Sequence, residues 1–283
     1  MSNSKRSVLI TGCSDGGVGA ALAVAFYMAG LHVYATVRNP AKAQGLAALG
    51  IQVLTLDVLS PSSIAACVEE VPSLDILVNN AGEYYPMPVV DLDIAEAKKS
   101  FDLNLWSPIA VTQAFLPLLL KSSEGGMIVN HTSAAAVIPI PFQATYNAAK
   151  AALSMFTDNL RLEIQGFGVK VVELKSGVLK SNLVRNAQGS HTTSLPEGSI
   201  YEPAREIIDR WLEKKELQDA GSPTDPWAED VVRDLLGRNP SPVIWRGQGA
   251  WIARLMSVMP FGWCDWLIKK LNGLNEAEKV IQS

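Results

Sequence analysis

Six short apolar runs recur along the first 180 positions: SVLIT (7–11), HVYATV (32–37), QVLTL (52–56), DILVN (75–79), MIVNHT (127–132) and KVVEL (170–174). Each is too short for an ordinary helix and is rich in Val, Ile or Leu, so each predicts a strand. Between them lie longer stretches with apolar positions at helical spacing, such as VGAALAVAFYMAG (18–30). Strand and helix in alternation predict a parallel sheet, because parallel neighbours need crossover connections, and these run right-handed. Near-continuous apolar strands predict burial on both faces. The expected fold is therefore α/β, a doubly wound parallel sheet with helices on both faces.

The pattern changes after about residue 180. AQGSHTTSLPEGS (187–199) is polar and without period, and reads as a mobile loop. Charged helical text follows at 203–219 and 225–237, then PVIWR (242–246), a seventh strand. The tail contains WIARLMSVMPFGWCDWLIKKL (251–271), in which Arg254, Pro260 and Asp265 interrupt any run of about 20 apolar residues, so no membrane-spanning helix is expected. One domain is expected over 1–283, with a core at 5–185 and 240–246, a loop-and-helix insertion at 186–239, and an apolar helical extension at 247–283.

Composition removes several classes of function. The chain has 283 residues, 48% of them hydrophobic, and 24 basic against 28 acidic residues, for a net charge of −4. No clustered positive face is available for nucleic acid. The three cysteines, Cys13, Cys67 and Cys264, have neither disulfide-framework nor metal-ligand spacing. No metal site is expected. The N-terminal stretch MSNSKRSVLITG lacks the apolar core of a secretion signal, and an intracellular, reducing setting is expected.

The first strand runs into TGCSDGGVGAALA, with Gly12, Gly16, Gly17 and Gly19 at the start of a helix. Glycines there let the backbone turn sharply and approach a pyrophosphate, which free N–H groups and the helix dipole attract. This context points to a Rossmann-type dinucleotide site. The second strand ends in ATVRNPAK, which lacks the carboxylate that holds adenosine ribose hydroxyls and offers Arg38, a planar cation suited to a 2′-phosphate. NADPH is expected over NADH.

Further pieces complete a set: NNAG (79–82), Asn104 in FDLNLW, Ser133 in VNHTSAAA, and Tyr146 with Lys150 four positions on. With the glycine turn, this order and spacing resembles the short-chain dehydrogenase/reductase family over roughly residues 5–185. The resemblance implies that Tyr146 is the general acid, that Ser133 holds the substrate oxygen, and that Lys150 binds the nicotinamide ribose and lowers the tyrosine pKa. It implies that Asn104 holds a water linking Lys150 to solvent, and that Ile10, Asp57, Asn80, Ala81, Gly82 and Val178 line the cofactor. Independently, a phenol with an unperturbed pKa of about 10 needs a nearby cation to exchange its proton readily at neutral pH, and residues four apart share a helix face.

Two departures stand out. The last glycine of the turn falls eight positions after Thr11 rather than seven, leaving open which of Gly16, Gly17 and Gly19 meets phosphate. Where the family usually has Pro-Gly, this chain has Ser176-Gly177, although Gly177 and Ser181 still match the segment that meets the nicotinamide carboxamide. Without the proline ring, that loop is expected to be less rigid. His131 shares a strand face with Ser133, which admits either a role near the site or a hydrogen-bonded place in the core. Cys13 reads as small packing rather than a redox switch.

The loops beyond the strand ends, with Tyr84, Tyr85 and Ala134 to Phe142, are mostly apolar or aromatic and favour a hydrophobic ketone or alcohol. The tail resembles the acyl-dihydroxyacetone-phosphate reductase and hydroxysteroid dehydrogenase-like branch. That resemblance implies a lipid-type ketone, with polycyclic or polyketide ketones alongside, and association with endoplasmic reticulum or lipid droplets. Two readings of the tail stay open: Trp251, Trp263 and Trp266 beside Lys269 and Lys270 rest at a membrane interface, or the tail covers the pocket or a subunit contact. A dimer or tetramer is implied by resemblance. The competing function class is a non-catalytic NADP(H)-binding scaffold or sensor.

Overall fold

The computed structural model describes residues 5–191, 193–213 and 220–283. Seven strands form one sheet: β1 (Ser7–Thr11), β2 (His32–Val37), β3 (Gln52–Thr55), β4 (Ile76–Asn79), β5 (Met127–His131), β6 (Lys170–Ser176) and β9 (Val243–Arg246), in the order β3-β2-β1-β4-β5-β6-β9. Every neighbouring pair is parallel. The chain reverses its direction of winding between β1 and β4, which opens a crevice at the carboxyl ends of these strands.

Alternate strand residues serve opposite faces. Val8, Ile10, Ile76, Val78, Met127 and Val129 pack under α1 (Val18–Met28), α2 (Gln44–Ala48) and α9 (Thr224–Leu235), with Phe26 and Trp227 among the large buried rings. Leu9, Leu77 and Ile128 face α3 (Pro61–Glu70), α5 (Ser107–Leu119) and the end of α6 (Ala144–Ile164). The apolar runs of the inner strands β1 and β4 are continuous because neither of their faces meets water.

β6 runs to Ser176, beyond the apolar run that ends at Leu174, because its polar residues find buried partners. Lys175 pairs with Glu173, which also accepts from the Thr132 hydroxyl at 2.7 Å, and Lys175 donates to Ser154 Oγ at 2.7 Å. The segment expected as a loop from 187 begins instead inside α7 (Leu183–Ser190), whose start is tied by the Leu183 N–H to Ser181 Oγ at 3.4 Å. Beyond it, α8 (Arg205–Glu213) and α9 match the charged helical text. Thr192 of the expected loop and positions 214–219 of the expected helix lie outside the described residues. A small sheet of β7 (Leu179–Lys180) and β8 (Ser222–Pro223) joins the segment after β6 to the start of α9.

The tail divides into two parts. α12 (Leu274–Gln282) packs Ala277 into a third apolar cluster with Tyr85, Met87, Phe142, Ile208 and Leu212. By contrast, α10 (Ala250–Met256), α11 (Asp265–Leu271) and the turn between them leave Trp251, Val258, Phe261, Trp263, Trp266 and Leu271 exposed. No helix among the described residues is long and apolar enough to cross a membrane.

Candidate active site

The glycine turn lies at the crevice. Gly12 and Gly16 have φ of +75° and +73°, in the left-handed region that favours glycine. A Cβ on Gly12 would meet Ala81 Cα at 2.9 Å, and one on Gly19 would meet Gly12 O at 2.5 Å. Gly19 therefore allows α1 to approach the turn; Gly16 and Gly17 are less buried, and a Cβ on them would meet Asn182 Nδ2 and Ser14 O, each at 2.9 Å. Gly17 caps α1, and no side chain fills the N-terminal amides of that helix. Ile10 lies in the core behind the turn, where its carbonyl accepts from Thr36 Oγ1 at 3.0 Å. Cys13 is buried, and desolvation pushes its thiol up to about 12, which leaves it inert packing.

Arg38 is exposed at the end of β2. Asp57 closes the turn after β3, its carboxylate accepting from the Leu59 N–H at 3.0 Å. Asn80 ties β4 to the glycine turn, with its Nδ2 donating to Thr11 O at 2.8 Å and Gly12 O at 3.3 Å. Ala81 N–H donates to Thr11 Oγ1 at 2.9 Å. The segment after β6 is anchored without proline: Gly177 N–H donates to Arg246 O and Val178 N–H to Gln248 O, both at 2.9 Å, while Val178 O accepts from Ser222 N–H at 3.0 Å. Asn182, just beyond Ser181, reaches across to Asp15 O at 3.1 Å, so this segment spans the crevice to the glycine turn.

Ser133 ends the extended chain after β5 and caps a short 3-10 turn, accepting from Ala135 N–H at 3.1 Å. Its hydroxyl pairs with the Tyr146 phenol. Tyr146 and Lys150 project from the first turns of α6, with the ammonium 5.7 Å from the centre of the tyrosine ring. Lys150 Nζ donates to His131 O at 3.0 Å. Asn104 sits in a π turn (Asp102–Trp106) between α4 (Ile94–Phe101) and α5. Its Oδ1 accepts from Glu83 N–H at 3.2 Å, and a Cβ on Gly82 would meet that oxygen at 2.8 Å and Lys150 Nζ at 3.6 Å. Gly82 thus keeps open the space that Asn104 and Lys150 share.

The electrostatics differ from the expectation for the tyrosine. Burial raises the Tyr146 phenol above its usual pKa, with the Ser133 hydrogen bond opposing in part. Burial lowers Lys150 to about 8. Desolvation outweighs the Ser133 hydrogen bond, so the phenol is protonated at neutral pH in the cofactor-free protein. His131 is driven down to about 3, first by burial and then by Lys150, and its imidazole is neutral.

Two residues carry weight here that the motif spacing did not single out. Tyr84 packs edge-on against Tyr146, with ring centres 5.7 Å apart. Phe142 has φ of +60° just before α6, and its carbonyl accepts from Met87 N–H at 2.7 Å. Both lie in the loops that the sequence marks as candidate pocket walls; the positive φ of Phe142 has no local signal, because it is imposed by packing. Among the described residues, no group of His, Cys, Asp and Glu is arranged to hold a metal.

A parallel sheet in this order, with an open glycine turn at its switch point, is a Rossmann-type dinucleotide fold. The family model for short chain dehydrogenases matches residues 6–191. The chain is 49% identical over 282 residues to a short-chain dehydrogenase/reductase of Pestalotiopsis microspora, covering 100% of this chain and 99% of that protein. It is 34% identical over 273 residues to an NADPH-dependent 1-acyldihydroxyacetone phosphate reductase of Schizosaccharomyces pombe, covering 90% of each. A crystal structure of a short-chain dehydrogenase from Streptomyces avermitilis shares the fold, with a TM-score of 0.76 at 24% identity over 98% of both chains. The protein belongs to the short-chain dehydrogenase family, a family of oxidoreductases.

Proposed function

We propose that this protein is an NADPH-dependent carbonyl reductase acting on a hydrophobic ketone, of lipid type or of polyketide or polycyclic type. The observation that carries the reading is the convergence of Ser133 and Lys150 on Tyr146, beside an open glycine turn. The residues fit a dinucleotide, since the uncapped amides of α1 suit a diphosphate and Arg38 suits a 2′-phosphate. Gly12, Gly16 and Gly17 with Asp57, Asn80, Gly82, Val178 and Ser181 would hold the cofactor. When bound, the reduced nicotinamide supplies the hydride.

Ser133 Oγ orients the substrate carbonyl oxygen by hydrogen bonding. Tyr146 Oη transfers its proton to that oxygen as the carbonyl carbon becomes tetrahedral, which prevents a free alkoxide from accumulating. The raised phenol pKa supports this direction of proton transfer, because the acid is present in its protonated form. Lys150, fixed by His131 O, and Asn104, fixed by Glu83 and Ser100, would re-supply the proton through the space beside Gly82. The apolar cluster around Tyr85, Phe142 and α12 supports a hydrophobic substrate and the reading of 1–283 as one domain.

The exposed face of α10 and α11 supports peripheral contact with a membrane or lipid droplet. Trp106 at the end of the π turn and Met155 and Phe156 on α6, all exposed, support assembly into a dimer or tetramer. The central test is NADPH consumption with a panel of ketones, comparing wild type with Tyr146→Phe. Loss of an acid should slow turnover by about 10²–10⁴-fold. Equal rates would remove Tyr146 from its role, and no consumption by the wild type would favour a non-catalytic scaffold.

A further inference from the structure

His131 is a polar side chain beside the site for which the proposed reaction has no task. Its ring stacks on Trp227, with centres 5.6 Å apart and planes at 27°. Both nitrogens are engaged: Nδ1 lies 3.0 Å from Asn80 Oδ1 and Nε2 lies 2.7 Å from Ser176 Oγ. A neutral imidazole has one donor and one acceptor, and the neighbours decide which is which. Asn80 spends its amide hydrogens on Thr11 O and Gly12 O, so its oxygen faces the ring and Nδ1 carries the hydrogen. Nε2 must then accept from the Ser176 hydroxyl.

The donors therefore all point one way. Ser176 donates to His131, His131 to Asn80, and Asn80 to the carbonyls of Thr11 and Gly12, across the ends of β6, β5, β4 and β1. Hydrogen bonds aligned in series polarise one another, and a buried acceptor left without its donor is costly. This chain ties the residue that precedes Gly177 to the glycine turn. It also passes close to the proposed catalytic groups, because Ser176 O lies 3.5 Å from Ser133 Oγ and His131 O accepts from Lys150. A proline at 176 would have no hydroxyl to donate, so the departure at this position and the histidine on β5 account for each other.

We infer that His131 and Ser176 are a positioning pair that fixes the 177–181 segment relative to the glycine turn and so sets the affinity for the dinucleotide. The inference rests on the cofactor reading above. The test measures NADPH binding by fluorescence titration in wild type, Ser176→Ala, Ser176→Thr, His131→Asn and the double variant Ser176→Ala/His131→Asn. Long-range ¹⁵N NMR of the cofactor-free protein reads the His131 tautomer.

Loss of one net hydrogen bond should raise Kd about tenfold in Ser176→Ala, whereas Ser176→Thr, which keeps the hydroxyl, stays within about twofold. The double variant should bind no more weakly than the weaker single variant, because both break the same link. In turnover, the loss should appear in KM for the cofactor more than in kcat. The wild-type spectrum should show hydrogen on Nδ1. A merely structural pair would lower the melting temperature of Ser176→Ala and leave its Kd unchanged, and that result overturns the inference. Multiplying losses in the double variant, or hydrogen on Nε2, also overturns it. Failure of the wild type to bind NADPH sinks the cofactor reading and this inference together, whereas binding with an unchanged Ser176→Ala Kd sinks this inference alone.

Discussion

Lys150 donates to the carbonyl oxygen of His131 at 3.0 Å while standing 5.7 Å from the centre of the Tyr146 ring. The ammonium is buried against a neutral acceptor, and desolvation lowers it from 10.5 to about 8. Below pH 8 the folded protein carries the full penalty of a buried charge, on the order of 3 kcal/mol. Between pH 8 and 10.5 the unfolded chain holds a proton that the folded one has released, so this group's contribution to stability rises with pH. Lys150→Met removes the penalty. The melting temperature of the variant minus that of wild type, both free of cofactor, should be most favourable near pH 7 and should decline towards pH 10. A pH-independent difference would show that Lys150 is not desolvated in this way.

Glu173 and Lys175 form a buried pair next to the strand that carries His131, with Trp245 5.5 Å from the ammonium. Neutralising one member leaves the other charged and unpaired inside the protein. Glu173→Gln should therefore destabilise by about 3–5 kcal/mol, whereas the double replacement Glu173→Leu/Lys175→Met should cost far less. Chemical denaturation of the three proteins measures both. If the double variant is as unstable as the single one, the cost lies in the Thr132 and Ser154 contacts and not in the unpaired charge.

Phe142 combines a positive φ with burial among Tyr201 and Trp211, whose rings stand 5.7 and 5.1 Å away. Removal of the ring should cost about 3–5 kcal/mol. The backbone strain, of order 1–3 kcal/mol, is relieved by glycine and not by alanine. Phe142→Gly should consequently be no less stable than Phe142→Ala, the reverse of the usual order. Urea unfolding of the two variants decides, and a clearly weaker glycine variant would mean that the strain is absent in solution.

The strands and the candidate catalytic pieces were legible because both are local. Runs such as SVLIT and DILVN need only sequence neighbours to declare themselves, and the spacing from Tyr146 to Lys150 places both on one face of α6. What long-range packing decides was not legible. Lys175 and Ser176 look like the end of a strand, yet they extend β6 because Glu173 and His131 await them from elsewhere. The net pKa of Tyr146 followed the same rule: spacing supplied the cation, but burial, which spacing does not report, decided the direction. The crowding around the glycines also required coordinates, since a Cβ on Gly19 would meet Gly12 O at 2.5 Å, and one on Gly16 or Gly17 would meet Asn182 Nδ2 or Ser14 O at 2.9 Å.

The exposed face of α10 and α11 makes the last prediction. Trp251, Phe261, Trp263 and Trp266 project into solvent, and Phe261 is fully exposed at the tip of the turn between the helices. Lys270 Nζ lies 5.3 Å from the Trp266 ring, and Arg254, three residues after Trp251 on α10, is a second exposed cation. Aromatic rings with flanking cations suit the headgroup region of an anionic bilayer, and the two helices have seven residues each, too short to do more than lie on it. Wild-type protein should float with vesicles containing phosphatidylserine and less with vesicles of phosphatidylcholine alone. Replacing the four rings by serine should abolish flotation with little change in melting temperature, because none of them is part of the core. If wild type and variant both stay with the soluble fraction on anionic vesicles, the face meets something other than lipid. The tail would then be placed by its buried residues alone, Ala250, Ala253 and Ile268 of α10 and α11 and Ala277 of α12, the last packed into the cluster around Tyr85 and Phe142.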